Sequence, residues 1–317
     1  MNKKKILVCG ATGFIGRNVA EYFSDKKNYE VFGTYFKSIP YDNSKINFLK
    51  ADLTKKEDVD RVVKGKDIVI QMSATTSGAK DIISKPYIHV TDNAITNHLL
   101  LRSAFENSVE NFIFPSCTVM YPPWNDAPLK ETDFTGEVED KYFGAAWMKV
   151  SLEKACEFFS RLGKTKHTVF RHSNIYGPYD KYDLEKSHVF GATITKVMQA
   201  PDGSKIKVWG TGEEERDLLY IDDLVKFIET AIEKQQTAYE LVNVGLGKST
   251  SVSDLVKKII DISGKNLEIE YDTTKPTIKT KLALDCSKAK EVFGWESKVS
   301  LDEGIQKTID WYKENIK

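Results

Sequence analysis

The sequence has no long hydrophobic run. No apolar stretch approaches the roughly 20 residues that a bilayer-spanning helix needs, and the basic residues Lys3, Lys4 and Lys5 have no long apolar segment behind them of the kind a secretion signal carries. Net charge is also missing. The 46 Lys and Arg cancel the 46 Asp and Glu, so no global field draws the chain to nucleic acid or to an anionic membrane. The Lys3–Lys5 run reads as a solvated lead-in to the first strand. Cysteine is sparse and scattered: Cys9, Cys117, Cys156 and Cys286 show no CxxC spacing. That argues against a zinc site or any other metal site and against a disulfide framework, and it suits a reducing cytoplasm. There is no internal repeat, low-complexity tract or obvious linker, and 317 residues suffice for one large α/β domain plus a smaller lobe.

What is present is an alternation. Strand-like apolar runs at 5–8, 30–34, 46–49, 67–70, 111–114 and 168–170, with a later one at 240–244, are separated by amphipathic helical stretches. This is the pattern of a parallel sheet covered on both faces. Ile95 to Ala104 reads as a buried helix, and Leu152, Ala155, Cys156 and Phe159 mark one face of another. After Gly177 the pattern loosens into longer polar segments, with helix returning at Ser253 to Ile262. The expected fold is α/β: a Rossmann doubly wound parallel sheet with a smaller, mostly C-terminal α/β substrate-binding lobe. Residues 1–173 and 215–247 are assigned to a discontinuous dinucleotide-binding domain, and residues 174–214 and 248–317 to the lobe.

Gly10-Ala11-Thr12-Gly13-Phe14-Ile15-Gly16 follows the first strand and opens a helix. The first glycines permit a tight turn and let backbone N–H groups approach a pyrophosphate; the third permits close helix–strand packing, and the helix N-terminus favours the negative charge. An NAD-specific site usually ends its second strand with Asp or Glu for the ribose 2′-hydroxyl. Here that position reads Thr34-Tyr35-Phe36-Lys37-Ser38, with no acid. Lys37 is either a partner for a 2′-phosphate or a surface lysine. The expected cofactor is NAD(P)/NAD(P)H, leaning to NADP.

The ordered series of the glycine turn, Ala51-Asp52-Leu53, Asn93, Ser116-Cys117-Thr118, Lys149, Asn174-Ile175-Tyr176-Gly177-Pro178 and Arg216 to Asp223 resembles the extended short-chain dehydrogenase/reductase family over nearly the whole chain. Within it, Asn174 to Asp180 followed by Ser187-His188-Val189, and Val208-Trp209-Gly210-Thr211-Gly212 leading into Arg216, are similar to GDP-sugar epimerase/reductases of the GDP-fucose synthase type. The resemblance implies that Asp52 and Leu53 lie under the adenine and that Asn93 belongs to the cofactor site. It also implies that Lys149 binds the nicotinamide ribose and lowers the pKa of a neighbouring phenol. Cys117 takes the strand-end place of a substrate-binding Ser or Thr, with Thr118 as its stand-in. Asn174 and Arg216 would face the substrate's diphosphate, Arg216 with the planar fork that phosphate prefers. His188 matches a general acid of epimerisation, or is a loop histidine packed in the lobe.

One functional group is absent. Catalysis in this family rests on Tyr-x-x-x-Lys, one helical turn apart on one face, but the residue four before Lys149 is Ala145. The pairs Tyr22/Lys26, Tyr41/Lys45, Tyr182/Lys186 and Tyr271/Lys275 fall on other segments and read as chance. Either Ala145 replaces the catalytic tyrosine by engineering, to trap substrate, or the chain is a natural enzyme or pseudoenzyme relying on Tyr142, Cys117 or water. The first is preferred because every other element is in place; a non-catalytic regulator is the alternative class. Val119 and Met120 after Thr118 supply no carboxylate, which disfavours dehydration, and Val119 stands where a second epimerisation base is expected. There remains hydride transfer at C4 of a nucleotide sugar, with GDP preferred and UDP, CDP and dTDP open; the resemblance to the family implies a homodimer.

Overall fold

The computed structural model describes residues 3–75, 86–184, 187–275 and 279–316. Its centre is a seven-stranded sheet of β1 (Lys4–Cys9), β2 (Tyr29–Tyr35), β3 (Ile46–Lys50), β4 (Ile68–Gln71), β5 (Asn111–Ser116), β6 (Lys166–His172) and β10 (Tyr239–Val244). The order is β10-β6-β5-β4-β1-β2-β3, and every pairing is parallel. The sheet matches the expected Rossmann architecture, with each predicted run found as a strand. The order reverses between β1 and β4, where a doubly wound sheet leaves a crevice at its carboxyl ends.

The central strands β1, β4 and β5 are buried on both faces and so read as continuous apolar runs, whereas β2 and β3 toward the edge are only partly buried. Ile6 and Val8 point into one core with Val19 and Phe23 of α1 (Phe14–Ser24) and Leu224 and Ile228 of α6 (Ile221–Lys234). Leu7 and Cys9 point into the other. There they meet Val59 of α2 (Lys56–Val63), Leu100 of α3 (Pro86–Glu106) and Leu152 of α4 (Phe143–Ser160). The helix expected at Ile95 to Ala104 is therefore part of a longer one. Asn93, Asn97, Leu100, Leu101 and Ala104 form its buried stripe. Ile95 lies about 200° around from Asn93 at 100° per residue, and it is 46% exposed rather than buried.

The first core continues into the C-terminal part, through Tyr176, Phe190, Ile194, Leu255 and Ile305. That part holds α5 (Val189–Gln199), α7 (Val252–Ser263), α8 (Ser287–Phe293) and α9 (Leu301–Asn315). Two small sheets complete it. One pairs β7 (Asn174–Tyr176) and β11 (Ser249–Ser251) on either side of β9 (Glu215–Tyr220); the other pairs β8 (Lys205–Trp209) with β12 (Glu268–Asp272). The chain thus leaves the large sheet after β6 and returns to it only with β10.

Candidate active site

The glycine turn separates into two kinds of glycine. Gly10 has φ +72°, and a Cβ on it would sit 2.7 Å from the Ser73 Cα beyond β4. A Cβ on Gly16 would collide with the Gly10 carbonyl, so α1 reaches β1 only without a side chain there. Gly13 is different. It is exposed, its φ of −87° suits any residue, and its Cβ would lie 3.4 Å from the Gly10 oxygen, an ordinary contact. Neither backbone conformation nor packing requires glycine at this position. Gly13 is the N-cap of α1, with no side-chain cap and no acid in the first turn, so unpaired helix N–H groups face an open backbone. The surface fits an anionic group held against the main chain. Thr34 closes the turn from β2, its Oγ1 accepting from Gly10 N at 2.9 Å and its carbonyl from Ala11 N at 2.9 Å. Thr12 is half-buried, as are Phe14 and Ile15, which pack on the core.

The other cofactor-side residues differ in what they touch. Lys37 is exposed, its Nζ 5.7 Å from the ring centroid of Phe36. Asp52 accepts from Thr54 N and Thr54 Oγ1 at 3.1 and 2.7 Å, shaping the turn that leads to α2, while Leu53 is buried. Asn93 is a clamp: its amide exchanges two hydrogen bonds with the Thr75 backbone and donates a third to His89 O at 2.7 Å. It acts on the loop after β4, beside Gly10.

At the carboxyl end of β5, Cys117 and Thr118 are half-buried. Lys149 reaches this end from α4 and donates to the Pro115 carbonyl at 2.8 Å. Desolvation lowers the pKa of its ammonium, against the opposing pull of Cys117 and Glu153. The Cys117 thiol is pushed up by burial, with Lys149 acting to lower it. These residues do come together. Ala145, Lys149 and Glu153 follow at four-residue intervals along one face of α4, and Ala145 offers no proton.

A second group forms where β7 meets β9. Asn174 is exposed on β7 and pairs with Leu218 of β9, two residues along the same strand face from Arg216. Burial lowers the Arg216 guanidinium from its ordinary value, while Glu214 and Tyr142 act to raise it. Tyr142, half-buried at the N-cap of α4, is raised by burial and by Glu139, with Arg216 opposing. Tyr142 therefore lies within electrostatic reach of Arg216, two helical turns from Lys149. His188 is the exposed N-cap of α5, where desolvation and Lys181 lower its imidazole. Among the chance pairs, Tyr22 and Lys26 belong to a surface cluster with Glu229, and Lys186 lies outside the described residues.

Sequence reasoning passed over the neighbours of Lys149 and Arg216. Glu153 was legible as the next residue on the lysine's own helical face. Asp217, beside Arg216, is buried and accepts from the backbone N–H groups of Leu246, Gly247 and Leu284 at 2.8, 3.1 and 3.1 Å. It ties β9 to the segments that follow β10.

Residues 6–245 match the NAD dependent epimerase/dehydratase family. The chain belongs to that family. Its cofactor is accordingly a nicotinamide dinucleotide, and the glycine turn is where the structure fits one. Among curated relatives, the chain is 29% identical to a GDP-L-colitose synthase of Yersinia pseudotuberculosis over 97% of both chains. It is 27% identical to a GDP-L-fucose synthase of Azorhizobium caulinodans, over 98% of this chain and 96% of the relative. Among solved structures, it is similar to the UDP-glucose 4-epimerase of Thermotoga maritima with UDP-glucose, at a TM-score of 0.87 and 29% identity over 99% of this chain and all of that one.

Proposed function

We propose that the chain is a nucleotide-sugar oxidoreductase acting at C4 of the sugar, as epimerase or 4-keto reductase, on a GDP-linked substrate, and that Ala145 leaves it with low turnover. One observation carries the reading. Lys149, strapped to the end of β5, lies on the same helix as Tyr142, which interacts with Arg216 of β9, and the residue one turn before that lysine is Ala145, which carries no proton donor. The relatives that act on GDP sugars support the choice of base, and the absence of an acid after β2, with Lys37 exposed there, supports NADP.

When bound, the dinucleotide accepts or returns a hydride at C4. The chain's own residues do the rest. Gly13 and the first turn of α1 hold the pyrophosphate, Lys149 the nicotinamide ribose, Thr118 and Cys117 the sugar hydroxyl, and Asn174 and Arg216 the diphosphate. Removing hydride from a carbinol without also moving its proton builds charge on the oxygen, and with alanine at 145 no phenol takes that proton. His188 serves as the acid of an epimerisation. The intact binding groups beside a missing proton donor also favour a second reading, a nucleotide-sugar-binding protein without catalysis.

Residues 1–173 and 215–247 form the dinucleotide-binding domain in this reading, although β9 pairs with the small sheet, and 174–214 and 248–317 form the lobe. We place the protein in the cytoplasm as a homodimer. Exposed Ile95 and Phe105 on α3 and Phe158 on α4 provide an apolar face for a second copy, which light scattering of the purified protein checks.

The test is to compare the parent with Ala145→Tyr, using NAD(H) and NADP(H) with GDP-, UDP-, CDP- and dTDP-sugars and their 4-keto forms. Nicotinamide absorbance reads net oxidation or reduction, and product NMR reads epimerisation. Restored turnover with one sugar names the substrate. If both proteins bind a nucleotide sugar and neither turns it over, the non-catalytic reading takes its place.

A further inference from the structure

We infer that Glu153 and Arg171 are positioning residues: a buried polar relay through them fixes the spacing between Lys149, at the hydride end of the cleft, and Arg216, at the diphosphate end. The catalytic half of this inference rests on the function proposed above.

The relay can be followed bond by bond. Lys149 and Glu153, one turn apart on α4, hold consecutive residues of β5: Lys149 Nζ donates to Pro115 O at 2.8 Å, and Ser116 Oγ donates to Glu153 Oε1 at 2.5 Å. The Glu153 carboxylate also takes Arg171 Nε at 3.0 Å and Arg171 Nη2 at 2.7 Å, a side-on pair whose side chains are each 4% exposed. Arg171, on β6, passes the connection on through Nη1, to Tyr121 OH and to Glu131 O, both at 3.0 Å. Tyr121 OH donates to Asn243 Oδ1 on β10 at 2.8 Å, and Asn243 Nδ2 donates to Leu129 O at 2.8 Å and Asp285 O at 3.3 Å. Leu129 is itself bonded through its backbone to Ala283 and Asp285. From there Leu284 N reaches the carboxylate of Asp217, the residue next to Arg216.

Stability does not account for this arrangement. Burying two charges costs several kcal/mol per ion, and well-packed apolar replacements of such a pair are often neutral or stabilising. All the bonds followed here but the one from Asn243 Nδ2 to Asp285 O are between 2.5 and 3.1 Å long, and a network satisfied in this way specifies one arrangement. That arrangement links α4, the ends of β5, β6 and β10, and the loop from Tyr121 to Glu131. These are the pieces that must hold their mutual distances if hydride end and diphosphate end are to grip one substrate.

The experiment replaces the pair together, Glu153→Met with Arg171→Met, so that no unpaired charge stays buried. Site-resolved alkylation by iodoacetamide, read by mass spectrometry against Cys9, which is buried at the end of β1 outside the relay, reports on the β5 end at Cys117. Fluorescence titration with NADPH reports on Lys149. The folded double variant is expected to alkylate at Cys117 about tenfold faster and to bind NADPH about tenfold more weakly, a loosening of the site without global unfolding. In an Ala145→Tyr background, kcat should fall about 100-fold while KM for the nucleotide sugar stays within about twofold, the signature of misplacement rather than lost contacts. Arg171→Lys with native Glu153 should recover part of each effect. A folded double variant with unchanged Cys117 alkylation, NADPH affinity and kcat overturns the inference. If Ala145→Tyr has no activity on any nucleotide sugar, the proposed function fails and the alkylation rate still decides the positioning role. Should the double variant not fold, Glu153→Gln, which keeps the shape and removes the charge, carries the same readouts with the same expected direction and the same overturning result.

Discussion

The glycine turn lies at the carboxyl end of β1 and the first turns of α4 meet the carboxyl end of β5, and they are built to different specifications. In the turn, two of three glycines are demanded by the protein itself, Gly10 by its φ and Gly16 by its contact with β1, while Gly13 is left open for something outside the chain. In the helix, the support is complete: Lys149 is hooked to Pro115, Glu153 to Ser116 and Arg171. Four residues before Lys149, on the same face of the helix, position 145 carries only the methyl of alanine. The difference teaches that scaffold and chemistry separate cleanly here. Gly10 and Gly16 are fixed by what the protein packs against them, whereas Gly13 and Ala145 are not.

The largest expected effect tests that separation at the helix. Ala145→Tyr should raise turnover about 10²–10⁴-fold, the contribution of a positioned general acid–base, while Ala145→Phe, of similar shape, should leave it at the parent level. Equal rates for the two variants would show that the missing hydroxyl is not what limits the site. The glycines give the next contrast. Gly16→Ala should cost about 3 kcal/mol or more in urea unfolding, because the clash is with backbone. Gly13→Ala should stay within about 0.5 kcal/mol of the parent and yet weaken dinucleotide binding about tenfold or more in a fluorescence titration. If both variants lose stability alike, the two kinds of glycine are one.

A third prediction concerns the scaffold alone. His167 on β6 is buried against Phe112, with no partner for either ring nitrogen among the described residues, and burial lowers its pKa from 6.5 to about 4. Below pH 6.5 the unfolded chain takes up a proton that the folded chain refuses until about pH 4. The stability contributed here is therefore complete above pH 6.5 and lost as pH falls through that window, by about 3 kcal/mol. His172, lowered to about 4 chiefly by burial, acts in the same direction. Urea midpoints at pH 7 and pH 4.5 should differ less in His167→Phe than in the parent; an unchanged difference would remove His167 from the acid limb. The smallest effect is at the surface. Lys37→Ala should weaken NADPH binding by a factor of about 5, in the range of an exposed ion pair, and leave NADH unaffected. An equal loss for both would make Lys37 an ordinary surface lysine.

The sequence showed the parallel sheet and the glycine turn plainly, because both leave local signals: apolar runs buried on two faces, and glycines at a strand–helix junction. The small sheet of β7, β9 and β11 left none, since Asn174–Tyr176 and Ser249–Ser251 are too short for a period and acquire strand geometry only by pairing with β9. The relay beneath the site was illegible for a different reason. Glu153, Arg171 and Asn243 have the composition of surface residues, and charged side chains are almost never fully buried unless paired. Their pairing joins positions 153, 171 and 243, a distance along the chain that no window of sequence spans.

β10 is the sheet neighbour of β6, yet residues 173–238 are synthesised between them. At about 5–20 residues per second, a ribosome takes roughly 3–13 s to make that stretch. For that interval the nascent sheet ends in β6, with the N–H and C=O groups beside Val169 and Phe170 unpaired and free to recruit a strand from another chain. The lobe's first helix, Val189–Gln199, is made before the strand that completes the sheet, so that edge is covered only when Tyr239–Val244 arrives.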